Sequence, residues 1–229
     1  MWLFNGVLYE KIILLGHQKG GVGKSNTACN LAVALAHEKY QEDTSRILLL
    51  DADPQGTLYR WNQRRIEIGG ALKEFPCIRL DGNITKQLQR EIENYDFIIV
   101  DAAGRDSREM RSAMLAADLM IMPTKASHAD LELLEHMAET VESARDFNDA
   151  LEVAVFINMA PTNTHAERQT AKQLLSEYPE FHLMRTVVAD RKAHRDAFHH
   201  ACGVHEWKDN KAKSEISCLT KEILDAFSI

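Results

Sequence analysis

Seven short apolar runs punctuate the chain: KIILL (11–15), RILLLDA (46–52), CIRL (77–80), FIIVDA (97–102), LMIMP (119–123), VAVFINM (153–159) and LMRTVV (183–188). Several have no polar alternation, which is the pattern of strands buried on both faces, and longer stretches of helical character separate them. Ala28, Leu31, Ala32, Leu35 and Ala36 fall at i, i+3, i+4, i+7 and i+8 and form one apolar helical face. A further helix is expected over 127–147, with Ser127 as cap and Asp130 as the acidic third residue, ahead of Leu131, Leu134 and Met137. Strands alternating with helices predict β-α-β units, hence an α/β fold with a mostly parallel twisted sheet covered by helices on both faces.

The 229 residues suit one domain spanning 1–229. A net charge of -7 argues against a surface that embraces nucleic acid all round, so any DNA contact must come from a local patch. No apolar run is long enough to span a bilayer, and MWLFNGVLYEK lacks the basic start and small-residue cleavage pattern of a signal peptide. Cys29, Cys77, Cys202 and Cys218 are far apart with no C-x-x-C pair, as expected of reduced packing thiols in a cytoplasmic protein. His194, His199, His200, Cys202 and His205 crowd one region, but their spacing fits no regular metal-ligand pattern.

Between the first strand and the first helix lies HQKGGVGKSN (17–26). A loop that folds around phosphate with its N–H groups inward needs the freedom of Gly20, Gly21 and Gly23. A helix starting near Lys24 aims unpaired N–H groups and its positive dipole end at the same anion. Lys24 adds a full charge at the β/γ-phosphates, and Ser25 a hydroxyl for Mg²⁺.

The loop departs from the plain G-x-x-x-x-G-K-S/T pattern because Gln18 occupies the position of the first glycine. K-G-G-V-G-K-S, headed by Lys19, resembles the deviant Walker A motif of the ParA/MinD family of ATPases. That resemblance implies a P-loop NTPase-like fold, ATP and Mg²⁺ as ligands, and nucleotide contacts from residues 19–26, Val22 and Asn26 included. It also implies that Lys19 crosses a nucleotide-sandwich homodimer to reach the partner's ATP. The alternative is a solvated lysine at the loop edge. Asn26 stands where the family commonly has a second Thr.

Later motifs end predicted strands, where ligands of open α/β sheets gather. ILLLDADPQGT (47–57) looks like the family's first switch; by resemblance Asp53 positions or activates the attacking water and Asp51 supports the Mg²⁺ shell. Otherwise these two carboxylates only cap a helix. YDFIIVDAAG (95–104) reads as a Walker B strand ending in Asp101, which holds Mg²⁺ through water, with the Gly104 N–H as a γ-phosphate sensor. Many relatives carry D-x-P-P where this chain has Ala102, Ala103 and Gly104. Asn158 matches an asparagine that reads the base in related ATPases; equally, it is a buried amide satisfying strand ends. PTKASHADL (123–131) and RKAHRDAFHHACGVHEW (191–207) also look like family segments.

The output of such a switch lies in surfaces outside the site. Arg185, Arg191, Lys192, Arg195, Lys208 and Lys211 make a modest basic excess in an acidic chain. Charge alone favours an ordinary solvated helix, whereas the resemblance favours DNA phosphates bound without sequence preference by the dimer. Only about ten residues precede the first strand, so no N-terminal helix-turn-helix domain is expected. Like small plasmid-type members, the chain is expected to take operator recognition from a ParB-like or ribbon-helix-helix centromere-binding partner, and to associate with the nucleoid when ATP-bound. A MinD-like membrane-positioning ATPase is the alternative. It calls for a basic, strongly apolar tail, and SEISCLTKEILDAFSI has only Lys221 against three acids. The loop is shared with iron–sulfur carriers, whose cluster cysteines are missing here, and with small-molecule ligases, against which Lys19 and the D-P-Q switch weigh.

Overall fold

In the computed structural model, which describes residues 11–104, 106–125, 133–161, 178 and 180–226, each of the seven apolar runs forms a strand. They are β1 (Lys11–Leu15), β2 (Ile47–Ala52), β3 (Cys77–Arg79), β4 (Phe97–Ala102), β5 (Leu119–Thr124), β6 (Glu152–Ala160) and β7 (His182–Ala189). The strands pair in parallel in the order β3-β2-β4-β1-β5-β6-β7. β1 therefore lies between β4 and β5, and the chain crosses over it on passing from one to the other. The carboxyl end of β1 opens at this crossing point, where open α/β sheets bind their ligands.

Seven helices among the described residues cover the sheet: α1 (Lys24–Lys39), α2 (Thr57–Ile68), α3 (Thr85–Glu91), α4 (Arg108–Met114), α5 (Leu133–Arg145), α6 (Lys192–His199) and α7 (Asn210–Ala226). A 3-10 turn at Val204–Glu206 joins the last two. The side-chain period of two divides the core between the two faces of the sheet. Ile13 and Leu15 of β1 pack with Leu31 and Leu35 of α1, Trp61 of α2 and Ile216 and Leu219 of α7. Ile12 and Leu14 point the other way, onto Met110 and Met114 of α4 and Leu134 and Met137 of α5. This double burial explains why the strands read as unbroken apolar runs.

Three details refine the sequence reading. Pro123 lies inside β5, which is tolerated because β1 pairs with β5 only as far as Ile121, beyond which the proline faces no β1 partner. The expected 127–147 helix is described from Leu133, and the Ser127 and Asp130 cap lies outside the described residues. Of the four cysteines, Cys29 and Cys202 are buried, but Cys218 is exposed and does not serve packing.

α2 shows how a helix escapes hydrophobic periodicity. Its buried residues, Leu58, Trp61, Asn62 and Arg65, have the spacing of a helical face, but two are polar. Asn62 exchanges hydrogen bonds with both backbone groups of Phe75, at 2.8 and 2.9 Å. Arg65, 1% exposed, donates to the carbonyls of Lys73 and Ala201 and forms a two-pronged pair with Glu206, each prong 2.7 Å. A buried charge is tolerated because all these groups are satisfied.

Candidate functional site

The turn after β1 meets the requirements of an anion cradle. Gly21 and Gly23 have φ of +73° and +97°, a region costly for any side chain. Gly23 caps α1 with no side-chain bond, and the first turn of that helix carries no acidic residue, so its N-terminal N–H groups and dipole remain available to an anion. The cradle opens into a cavity of about 560 Å³ lined by Gly20, Gly21, Lys24, Ser25, Asp53 and Gly104, among others.

Lys24 is 7% exposed and donates to the Lys19 carbonyl at 3.2 Å, which bends its ammonium back over the loop. Burial lowers its pKa, against the pull of Asp101 and Asp53. Gly104, after β4, touches the cradle from the other side. A Cβ there would lie 2.9 Å from Gly20 Cα, 3.0 Å from Gly20 N and 3.1 Å from Lys24 Nζ, so the contact requires glycine. The Ala102-Ala103-Gly104 turn thus meets the glycine loop directly.

Asp101 tests whether a cation fits. It is fully buried, and no backbone N–H among the described residues reaches either carboxylate oxygen, which leaves the Ser25 hydroxyl as the nearby donor. Burial, aided by Asp51 and Asp53, pushes its pKa up to about 7, while the Ser25 hydroxyl and Lys24 pull the other way. The Ser25 hydroxyl and the Lys24 charge do not offset the burial of this carboxylate, which leaves room for a cation such as Mg²⁺, and Asp101 with Ser25 fits the hard-oxygen donor set that Mg²⁺ prefers.

The neighbouring carboxylates do different work. Asp51, expected to support the Mg²⁺ shell, has one oxygen accepting from the Asp53 N–H at 3.1 Å and the other from the Tyr59 N–H at 2.8 Å. It organises the turn and caps α2 from the adjacent strand, the capping role that was its alternative. Burial raises its pKa, which these backbone donors and Arg79 partly counter. Asp53 is half-buried on the cavity wall; its Oδ1 accepts from the Gln55 N–H at 2.8 Å and its carbonyl from the Gly56 N–H at 2.8 Å, closing a tight turn.

Asn158, at the end of β6, donates Nδ2 to the Val22 carbonyl at 2.8 Å. Met159 beside it holds the left-handed region, φ 52°, at the register shift between Ile157 and Ala160 in the pairing of β6 with β7. A second cavity of about 650 Å³ adjoins the first and shares Asn26 and Phe198 with it; Asn158, Arg64, Asp190 and His194 are among its other walls. Asn26 donates to the His194 carbonyl at 3.2 Å and accepts from Asn30 Nδ2 at 2.9 Å, and Asn30 accepts from the Val204 N–H at 2.8 Å. In place of the family's hydroxyl, this chain has an amide that ties the cradle helix to α6 and the turn beyond it. Sequence reasoning missed Phe198 and Arg64 as cavity walls. Phe198 lay within a segment already singled out, whereas Arg64 gave no signal.

The basic residues divide. Arg185, Lys192, Arg195, Lys208 and Lys211 are exposed, the first three in ion pairs with Glu222, Asp196 and Asp190. Arg191 is different: it is half-buried and forks onto Glu215 at 2.6 and 2.9 Å, which ties it to α7 and away from an outer patch. The crowded histidines pack: His200 stacks on Trp207, and His205 bonds Glu38 and Ser217.

The maintenance of carboxysome distribution protein A of Gloeobacter kilaueensis is 29% identical over 208 residues, covering 90% of this chain and 88% of that one. The chromosome-partitioning ATPase Soj of Thermus thermophilus is 30% identical over 196 residues, 73% of this chain and 77% of its own. The Cyanothece McdA ATP complex shares the fold, with a TM-score of 0.73 over 94% of this chain and 96% of that one at 14% identity. Residues 13–199 match the CobQ/CobB/MinD/ParA nucleotide binding domain, a span that runs from β1 to the end of α6 and takes in the cradle, Asp51, Asp53, Asp101, Gly104 and Asn158. The chain belongs to that family of nucleotide-binding proteins.

Proposed function

We propose that the protein is a ParA-like ATPase of plasmid or chromosome partition, which binds ATP between two copies of itself and holds nonspecific DNA as that dimer. The single observation that carries the nucleotide chemistry is the fully buried Asp101, its pKa raised by burial although Lys24 and the Ser25 hydroxyl stand beside it. ATP phosphates sit against the N–H groups of residues 20–25, with Lys24 at the β/γ-phosphates. Ser25 and, through water, Asp101 would hold Mg²⁺, which would offset phosphate charge when bound. Asp53 accepts a hydrogen bond from the water that attacks the γ-phosphorus as the bond to the bridging oxygen breaks, leaving ADP and phosphate. Gly104 registers the loss of the γ-phosphate through its contact with Gly20. Lys19 supplies its charge to the partner's site, where positioned cations stabilise the charge that spreads over the transferred group.

The base occupies the second cavity. Asn158 donates one of its two amide hydrogens to Val22, which leaves Oδ1 and the second N–H to read a purine edge, Oδ1 suiting the amino group of adenine. The exposed cations Arg185, Lys192, Arg195, Lys208 and Lys211 contact DNA phosphates without reading sequence. A ParB-like or ribbon-helix-helix partner then stimulates hydrolysis and release. The names of the relatives, one in carboxysome distribution and one in chromosome partitioning, support a positioning role of this general kind.

The membrane alternative loses support at α7, whose Ile216, Leu219 and Ile223 are spent in the core. No helix among the described residues is long and apolar enough to cross a membrane. Sedimentation with ATP and Mg²⁺, followed by titration with random-sequence DNA at several salt concentrations, tests the proposal. A dimer whose DNA affinity falls steeply with salt supports it, and a monomer indifferent to DNA refutes it.

A further inference from the structure

The 53–57 turn is gripped from two strands at once. From β2, Asp51 takes the N–H groups of Asp53 and Tyr59. Its parallel register partner on β3 is Arg79, and Arg79 Nη2 donates to the Pro54 carbonyl at 3.2 Å. The guanidinium lies flat against Gly56: a Cβ there would come 3.0 Å from Arg79 Cζ and 3.2 Å from Nε and Nη2. Gly56 has φ +62°, so glycine satisfies both the turn and the close approach. The Tyr59 ring, 6.0 Å from the guanidinium carbon, bounds the other side.

An acid thus holds the donors of this turn and a base holds its carbonyl. The acid is buried and anchored by the sheet, whereas Arg79 is exposed and reaches inward from the end of the edge strand. A planar guanidinium that both donates and lies against backbone defines a position more narrowly than a lysine ammonium, which offers only a point charge. The residue that opens the turn is Asp53, on the cavity wall.

We propose that Arg79 is a positioning residue for ATP hydrolysis, fixing the 53–57 turn so that the Asp53 carboxylate meets the attacking water. This rests on the hydrolytic reading above and assigns Arg79 no contact with nucleotide. Misplacing a reacting group by about 1 Å costs on the order of a hundredfold in rate while leaving ground-state binding nearly intact.

The test compares wild type, Asp53→Ala, Arg79→Ala and Arg79→Lys by steady-state ATPase kinetics and by calorimetric titration with ATP and Mg²⁺. Expected for Arg79→Ala is a kcat lower by about ten- to hundredfold with ATP affinity within about twofold of wild type. Arg79→Lys, which still reaches the Pro54 carbonyl but cannot lie flat against Gly56, falls between the two. Wild-type kcat in Arg79→Ala overturns the proposal, as does a loss of ATP binding in step with turnover. If Arg79→Ala loses its cooperative melting transition, Arg79→Lys decides: reduced kcat at unchanged affinity supports the proposal and wild-type kcat overturns it. An inactive wild type, or an active Asp53→Ala, overturns the hydrolytic reading and this inference with it. An active wild type with inactive Asp53→Ala and fully active Arg79→Ala overturns this inference alone.

Discussion

The Asn158 side chain donates to the Val22 carbonyl at 2.8 Å, and its nitrogen lies where a Cβ on Gly23 would come within 2.4 Å. One amide therefore supports the glycine loop and also lines the adjoining cavity. Asn158→Ala is expected to weaken ATP binding by about tenfold and to narrow the preference for ATP over GTP. Calorimetry with both nucleotides checks this, and an unchanged ratio removes the base-reading role.

Gly104→Ala forces a methyl group against the backbone of Gly20, which cannot move aside as a flexible side chain can. We expect ATP affinity to fall by at least about tenfold, roughly 1.4 kcal/mol, with much less effect on unfolding in the absence of nucleotide. Fluorescence titration and denaturant unfolding of the same preparation separate the two effects.

Arg65→Ala leaves the Lys73 and Ala201 carbonyls without this donor and empties space beside Trp61 and Phe75, while Glu206 keeps the Gly203 N–H and access to water. Loss of these buried bonds costs about 1–3 kcal/mol, and urea unfolding should show a lower midpoint by that measure.

Glu222 of α7 accepts from the N–H groups of Arg185 and Thr186 and from the Thr186 hydroxyl on β7. Burial opposes its charge, but these donors and the Arg185 guanidinium outweigh it and hold the carboxyl below its usual 4.5. A lowered folded pKa means that the stabilisation is complete above the unfolded value and disappears as pH falls through the folded one. Wild type should therefore lose stability on acidification below about 4.5 more steeply than Glu222→Gln. The variant, with an amide N–H turned toward a backbone donor, should be less stable by about 1–3 kcal/mol at neutral pH. Thermal unfolding across this range measures both.

The strands and the cradle were legible because each rests on a local rule: double burial writes an unbroken apolar run, and a phosphate loop needs glycines, a lysine and a hydroxyl in sequence. α2 was not legible, because half its buried face is Asn62 and Arg65, whose partners Phe75 and Glu206 are remote in sequence. Asp51 reads from its neighbours as support for a metal shell, but the sequence does not show that its two oxygens also accept from the Asp53 and Tyr59 N–H groups, contacts fixed by where α2 begins. Arg191 counted as a surface cation until Glu215, on another helix, was seen to hold it. What eluded the sequence in each case is a polar side chain bonded to a group outside its own element, which periodicity does not record.

The claim on which the function rests is that Lys19 acts across the dimer, and mixing two disabled variants tests it most directly. Lys19→Ala and Asp53→Ala are each expected to bind ATP and turn it over poorly. In a mixed dimer, the site on the Lys19→Ala subunit keeps its own Asp53 and receives Lys19 from its partner. The account predicts that turnover returns on mixing and rises with the fraction of mixed dimers. Turnover that stays at the level of the separate variants, with mixed dimers demonstrably formed, contradicts it.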